Sequence, residues 1–225
     1  MVSDLEWPIS QQLDLEATAL LAIDMQIDFL GKGGWFDRIG VDVAPTRVAI
    51  EPLGKLLEYC RSNSIRVIHT REAYRPCGGD VSENIKWRTS HSGFAYGDPT
   101  PCGRVLTRGE GGWEIIPELA PLENEWVIDK PAKSAFWGTD LEYGLRTLGI
   151  QNLIICGVTT DVCTQSTLRD AADLGFDCIL ASDAAAASKT ENHDAYIKLL
   201  SSPSSGVAPI KKVDEIIERL EGLSG

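Results

Sequence analysis

Short, nearly unbroken apolar runs alternate along the chain with longer segments whose apolar positions recur every three to four residues. That alternation predicts a parallel sheet covered by helices on both faces. The first run, ALLAIDM (19–25), reads as a buried strand ending on a carboxylate. A helix from about Thr46 to Ser62 carries Val48, Leu53, Leu56, Leu57 and Cys60 on one face, and IRVIHT (65–70) is the second strand. From Arg71 to Gly112 the periodicity is lost in a text rich in Gly, Pro, Arg and Trp. An irregular segment of that length in a compact domain is usually a functional lid or a docking arm. Regular alternation resumes with the strand WVID (126–129) and the helix TDLEYGLRTLG, with Thr139 placed as N-cap and Gly149 as C′ residue. Strand NLIICGV (152–158) runs into the helix DVCTQSTLRDAADLG, stopped by Gly175. Strand FDCILASDA (176–184), a helix around His193–Ser201, a short last strand in GVAPI and a terminal helix VDEIIERLEG complete the pattern.

There is no internal repeat and no linker, so residues 1–225 read as one domain. The expected architecture is a three-layer α/β/α (Rossmann-like) fold with a central, mostly parallel six-stranded sheet. In open sheets of this kind, ligands sit outside the carboxyl ends of the strands.

Composition narrows the partners. A formal charge of −12 argues against nucleic acid and against an anionic membrane surface. No apolar run approaches the roughly 20 residues that a membrane span requires, and MVSDLEWPIS lacks the basic and apolar regions of a secretory signal. The six cysteines include no C-x-x-C pair and read as free thiols, which suits a cytoplasmic location.

Three chemistry-bearing residues follow strands. Asp24 closes LLAID, Lys130 closes WVIDK, and Cys163 lies just past IICGV at the start of a helix. Each has a bland reading alone, as a loop cap, a solvated lysine and a small core residue. Parallel strand ends converge on one edge, however, and together the three make a nucleophilic unit. The helix start and the ammonium would favour a thiolate at Cys163, and the Asp24 carboxylate would take and return a proton. Cys60, Cys156 and Cys178 fall inside helix or strand runs, while Cys77 and Cys102 lie in the long loop with no adjacent helix start.

The stretches LLAIDMQIDF, DKPAKSAF and GVTTDVC, in that order, resemble the isochorismatase-like cysteine hydrolases over nearly the whole chain. The resemblance implies a catalytic triad of Asp24, Lys130 and Cys163. It also implies a cis peptide at Val158–Thr159 and an oxyanion hole formed by the N–H groups of Thr159 and Cys163. Phe29, Trp35, Lys133, Phe136 and Thr160 are the candidate substrate contacts. The metal-holding branch of that family carries an Asp-x-His pair and a further His. This chain reads HTREAYRP there and has only His69, His91 and His193, so no metal and no other cofactor is expected. Cys163 points to cleavage of a C–N bond through a thioester.

Within the family, DFLGKGGW (28–35), HTREAYRP (69–76), GDPTPCGRVLTRGEGGWEIIPEL (97–119) and DKPAKSAFWGTDLE (129–142) are most similar to biuret hydrolases, with ureidoacrylate amidohydrolases more distant. One departure is Pro203, in SSPSSG, where biuret hydrolases place a substrate-contacting Gln. The expected function is therefore a cysteine amidohydrolase acting on a small ureido or amide compound, as a homo-oligomer (dimer or tetramer). The alternatives are a catalytically silent domain of the same fold kept for binding or assembly, and an amidohydrolase for an unrelated amide. The loop arginines Arg71, Arg75, Arg88, Arg104 and Arg108 are expected mostly to pair with acidic residues at a subunit interface. A dinucleotide-binding enzyme is excluded, because AIDMQID stands where G-x-G-x-x-G would follow the first strand.

Overall fold

The computed structural model describes residues 6–10, 14–202 and 204–223. Its strands are β1 (Thr18–Ile23), β2 (Arg66–Glu72), β3 (Pro99–Thr100), β4 (Gly103–Arg104), β5 (Trp126–Lys130), β6 (Asn152–Val158), β7 (Asp177–Ala186) and β8 (Ile210–Lys211). Six of them form one sheet in the order β5-β2-β1-β6-β7-β8, and every pairing in it is parallel. The strand order reverses direction between β1 and β6, which places a topological switch point at the centre of the sheet.

The helices are α1 (Ile27–Leu30), α2 (Trp35–Arg38), α3 (Ala44–Arg47), α4 (Ile50–Ser62), α5 (Glu83–Ser90), α6 (Leu141–Thr147), α7 (Gln165–Asp173), α8 (Thr190–Leu200) and α9 (Val213–Leu223). Strand alternation sorts the two cores. Leu20 and Ala22 of β1 with Ile154, Cys156 and Val158 of β6 face Leu53, Leu56 and Leu57 of α4 and Ile216 and Leu220 of α9. The intervening Ala19, Leu21, Ile23, Leu153 and Ile155 face Leu141 and Leu145 of α6, Leu168 of α7 and Tyr196 of α8. A strand buried on both faces must be apolar along its length, and β1 and β6 are, apart from their first residues Thr18 and Asn152, whose buried side chains are hydrogen-bonded.

Several local expectations shift. The helix foreseen at 46–62 is divided into α3 and α4, and β2 runs on to Glu72 instead of stopping at Thr70. The segment 71–112 is not wholly irregular, since it contains α5 and the β3–β4 ribbon. Asp140, not Thr139, is the N-cap of α6, although the Thr139 hydroxyl does accept from the Leu141 N–H at 3.3 Å. Pro203 lies outside the described residues.

Buried Asp28 ties the long segment down. Its carboxylate accepts from the N–H groups of Trp35 (3.0 Å) and Leu106 (2.7 Å), and a Cβ at Gly112 would strike its Oδ1. Of the loop arginines, four pair within the chain: Arg71 and Arg108 with Asp129, Arg75 with Asp80, and Arg104 with Glu110. The acidic partners lie on the same loops or on β5, so those ion pairs need no second subunit. No helix among the described residues is long and apolar enough to cross a membrane.

Candidate active site

The carboxyl ends of β1, β2 and β5 lie side by side, and each ends on or next to a charged residue. Asp24 follows β1 with φ +50°, in the left-handed region that Asp tolerates better than most residues. Its N–H donates to the Thr70 carbonyl at 3.1 Å, and the Thr70 hydroxyl returns a 2.6 Å bond to Oδ1. Lys130, the last residue of β5, brings its ammonium 2.7 Å from Asp24 Oδ2 and donates to the Ala132 carbonyl at 2.9 Å. Among the described residues that ammonium is the one polar group facing Oδ2. Both side chains have no solvent exposure.

Cys163 sits in a π-helical turn, Thr160–Thr164, that leads into α7. Single π turns inside α-helices recur at functional sites. The turn begins after the Val158–Thr159 peptide, which is cis. Gly157 precedes it at φ +103°, and a Cβ there would lie 2.2 Å from the Ile23 carbonyl oxygen. Only glycine lets β6 come so close to β1, and that approach sets the sulfur beside Asp24. The Cys163 sulfur and the carboxylates of Asp24 and Glu72 all lie within 4.8 Å of one another. The Thr159 N–H donates to no backbone acceptor among the described residues, and the Cys163 N–H to none outside its own turn.

Glu72, the end of β2, was not singled out from sequence. Its carboxylate is 3.6 Å from the Cys163 sulfur and accepts from the Lys133 ammonium at 2.7 and 3.0 Å. Lys133 also donates to the Tyr96 hydroxyl at 2.7 Å. Gln26 fixes the backbone of Glu72 from both sides, accepting from its N–H at 2.8 Å and donating to its carbonyl at 3.0 Å. The signal available in sequence was the position itself, a third charge at a third strand end.

The other predicted contacts separate. Lys133 is in the site, paired with Glu72. Thr160 is adjacent and fully buried, its hydroxyl 2.9 Å from His193 Nδ1. Trp35 and Phe29 belong to an aromatic cluster that reaches the site through Tyr96, whose ring centroid is 5.1 Å from that of Trp35. The Trp35 indole N–H has no partner among the described residues. Phe136 is not brought to the triad. It stacks on Phe176, just before the amino end of β7, with centroids 5.9 Å apart.

The electrostatics differ from the expected thiolate. Burial pushes the Cys163 thiol well above its ordinary range, and Asp24 and Glu72 push the same way against the opposing pull of Lys130 and Lys133. The helix start and one ammonium do not overcome complete desolvation beside two carboxylates. Burial likewise raises Asp24, against the attraction of Lys130, with Glu72 adding to the rise. In Glu72 burial is outweighed by Lys133 and Lys130, so its carboxyl is lowered and stays ionised. The resting pair is thus a neutral thiol beside a basic carboxylate. The rate of iodoacetamide labelling at Cys163 should therefore keep rising with pH beyond the ordinary thiol value near 8.5, and Lys130→Met should move the profile higher still. A plateau below pH 8, read by peptide mass spectrometry, would contradict the neutral resting thiol.

Asp24, Glu72 and Cys163 are a chemically plausible metal trio. Their surroundings fit one poorly, because each carboxylate already has an ammonium at 2.7 Å that a divalent cation would have to face.

The Isochorismatase domain family matches residues 18–212. Similar curated proteins include the ureidoacrylate amidohydrolase RutB of Acinetobacter baylyi, 35% identical over 72% of this chain and 68% of that one. RutB of Azorhizobium caulinodans is 33% identical over 76% of each chain. Among solved structures, a cysteine hydrolase from Pseudomonas syringae pv. phaseolicola superposes with a TM-score of 0.81 at 25% identity, covering 97% of both chains. The N-carbamoylsarcosine amidase of Thermoplasma acidophilum gives 0.66 at 27%, covering 88% of this chain and 96% of that one. With a matching fold, the motifs in order and the family match running from β1 to the residue before α9, this chain belongs to the isochorismatase family.

Proposed function

We propose that the protein is a cysteine amidohydrolase that cleaves a C–N bond of a small ureido or amide compound through a thioester on Cys163. The observation that carries this reading is the sealed Asp24–Lys130 pair beside the Cys163 sulfur. A buried ion pair is poor value for stability, since apolar residues of equal volume generally do as well or better. Two opposite charges kept at zero exposure next to a thiol are better explained by chemistry. The amidase names of the relatives support the same reaction, and two of those names specify a ureido or N-carbamoyl group.

In this mechanism Cys163 attacks the carbonyl carbon as Asp24 takes its proton, so the thiolate forms only when it is used. The developing oxyanion collects against the N–H groups of Thr159 and Cys163. Asp24 passes the proton to the departing nitrogen, then draws one from the water that opens the thioester. Lys130 holds Asp24 and offsets the charge. The enzyme acts as a homo-oligomer in the cytoplasm, for which exposed Trp87, Trp137 and Tyr143 supply apolar surface.

Ammonia release should be screened over biuret, triuret, ureidoacrylate, other ureido acids, nicotinamide and simple amides. No release from any of them, with Cys163 unmodified by mass, would count against the reading. Prolonged chelation should leave the rate within about twofold of the untreated enzyme, because no step passes through a metal. Activity lost to the chelator and restored by a divalent ion would reverse that conclusion.

A further inference from the structure

The carbonyl carbon of any substrate that reaches Cys163 has three directions to satisfy. Its oxygen is drawn to the Thr159 and Cys163 N–H groups, and its leaving nitrogen must reach Asp24, which exchanges the proton. The third substituent, the one retained in the acyl-enzyme, is left beside Glu72, whose Oε2 lies 3.6 Å from the sulfur. Glu72 is a poor proton donor there, because both its oxygens are held by the Lys133 ammonium at 2.7 and 3.0 Å. It is an acceptor with no solvent on it, and the thiol S–H that donates to Oε2 at rest vacates a position there once its proton has left. A carbon substituent would leave that position desolvated and empty, a carboxylate would be repelled, and an N–H would fill it.

From this arrangement we propose that Glu72, braced by Lys133, is a specificity-determining residue that accepts a hydrogen bond from an N–H on the retained side of the attacked carbonyl, and so selects ureas over simple amides. The proposal rests on the amidohydrolase reading and specifies its substrate class. The balance is complete without a co-reactant. The S–C bond forms as the C–N bond to the leaving group breaks, the thiol proton leaves with the departing amine, and the acyl-enzyme is an S-carbamoyl thioester. Water then forms the new O–C bond as the S–C bond breaks. The proton returns to sulfur, and the product is a carbamic acid able to lose carbon dioxide.

Biuret and malonamide test it, since they differ only in a central N–H replaced by CH2. Two readouts are taken on the full chain: kcat/KM for ammonia release, and protection of Cys163 from iodoacetamide, which needs no turnover. Biuret should be preferred by on the order of 100-fold in kcat/KM, with a preference of the same sign in protection. Glu72→Gln should narrow the ratio at least about tenfold. The wild-type ratio decides the matter even if that variant folds poorly. Parity, or a preference for malonamide, overturns the role given to Glu72. If neither compound releases ammonia, the amidohydrolase reading fails on these probes while protection still decides Glu72. If neither protects, the Glu72 proposal falls as well.

Discussion

Cys163→Ser should lower turnover by at least about three orders of magnitude, with a melting temperature close to that of the parent. The hydroxyl is a far weaker nucleophile than the thiol it replaces, yet it fits the same turn and can bond to Glu72 where the sulfur now lies at 3.6 Å. Cys60→Ser is the instructive contrast. That thiol is wholly buried in α4, its pKa pushed up to about 12 by burial, and it touches nothing in the site. Placing a hydroxyl there should cost stability, about 1–3 kcal/mol if it stays unbonded, and leave kcat per folded molecule unchanged. Steady-state rates and thermal melts on both variants separate the nucleophile from the packing cysteine. Near-normal turnover in Cys163→Ser would end the covalent mechanism.

The second large effect is expected at Asp24. Asp24→Asn keeps the shape but removes the only carrier of the thiol proton in the scheme. Acylation should slow by about 10³-fold, within the usual range for a lost general base, and no burst of ammonia should precede the steady state. Deacylation should fail for the same reason. The variant also strands a buried ammonium, so some destabilisation is expected. Asp24→Asn combined with Lys130→Met removes both charges, and should recover stability without recovering the burst. Rapid quench with intact-mass detection reads the acyl-enzyme directly. A thioester that accumulates in Asp24→Asn as fast as in the parent would show that another group takes the proton.

What was legible in the sequence follows from which interactions are local. β1 and β6 are buried on both faces, so they had to be written as continuous apolar runs, and anything charged just past them stood out. Asp24 and Cys163 were visible because they follow those runs, and Lys130 because it closes the short run of β5. Glu72 was not, because β2 finishes on a polar HTRE, and polar text there reads as loop. The strand persists through Glu72 because β5 pairs with it as far as Lys130 and the Gln26 side chain supplies the bonds a neighbouring strand would. Helix α5 was missed in another way. None of its residues is buried, so it has no apolar stripe to read, and its start rests on Ser82 accepting from the Ile85 N–H. The fold of the 71–112 segment depends on contacts such as Asp28 with Leu106, far apart in sequence, which no window of local pattern contains. Phe136 shows the reverse error, since a motif position next to a catalytic candidate does not fix where a ring points.

The position of β5 at the end of the sheet has a bearing on how the protein loses activity. Among the described residues β5 is paired only with β2, whereas β1 and β6 are flanked on both sides. Strands held on one side open locally at a lower free energy than the sheet centre, and they do so without global unfolding. Lys130 is the last residue of that strand, so each such opening withdraws the counter-charge from Asp24 while the two apolar cores stay closed. Mild heat or denaturant would then switch the site off before the fold melts, and the first backbone amides to exchange with solvent would be those of the strand that carries the lysine.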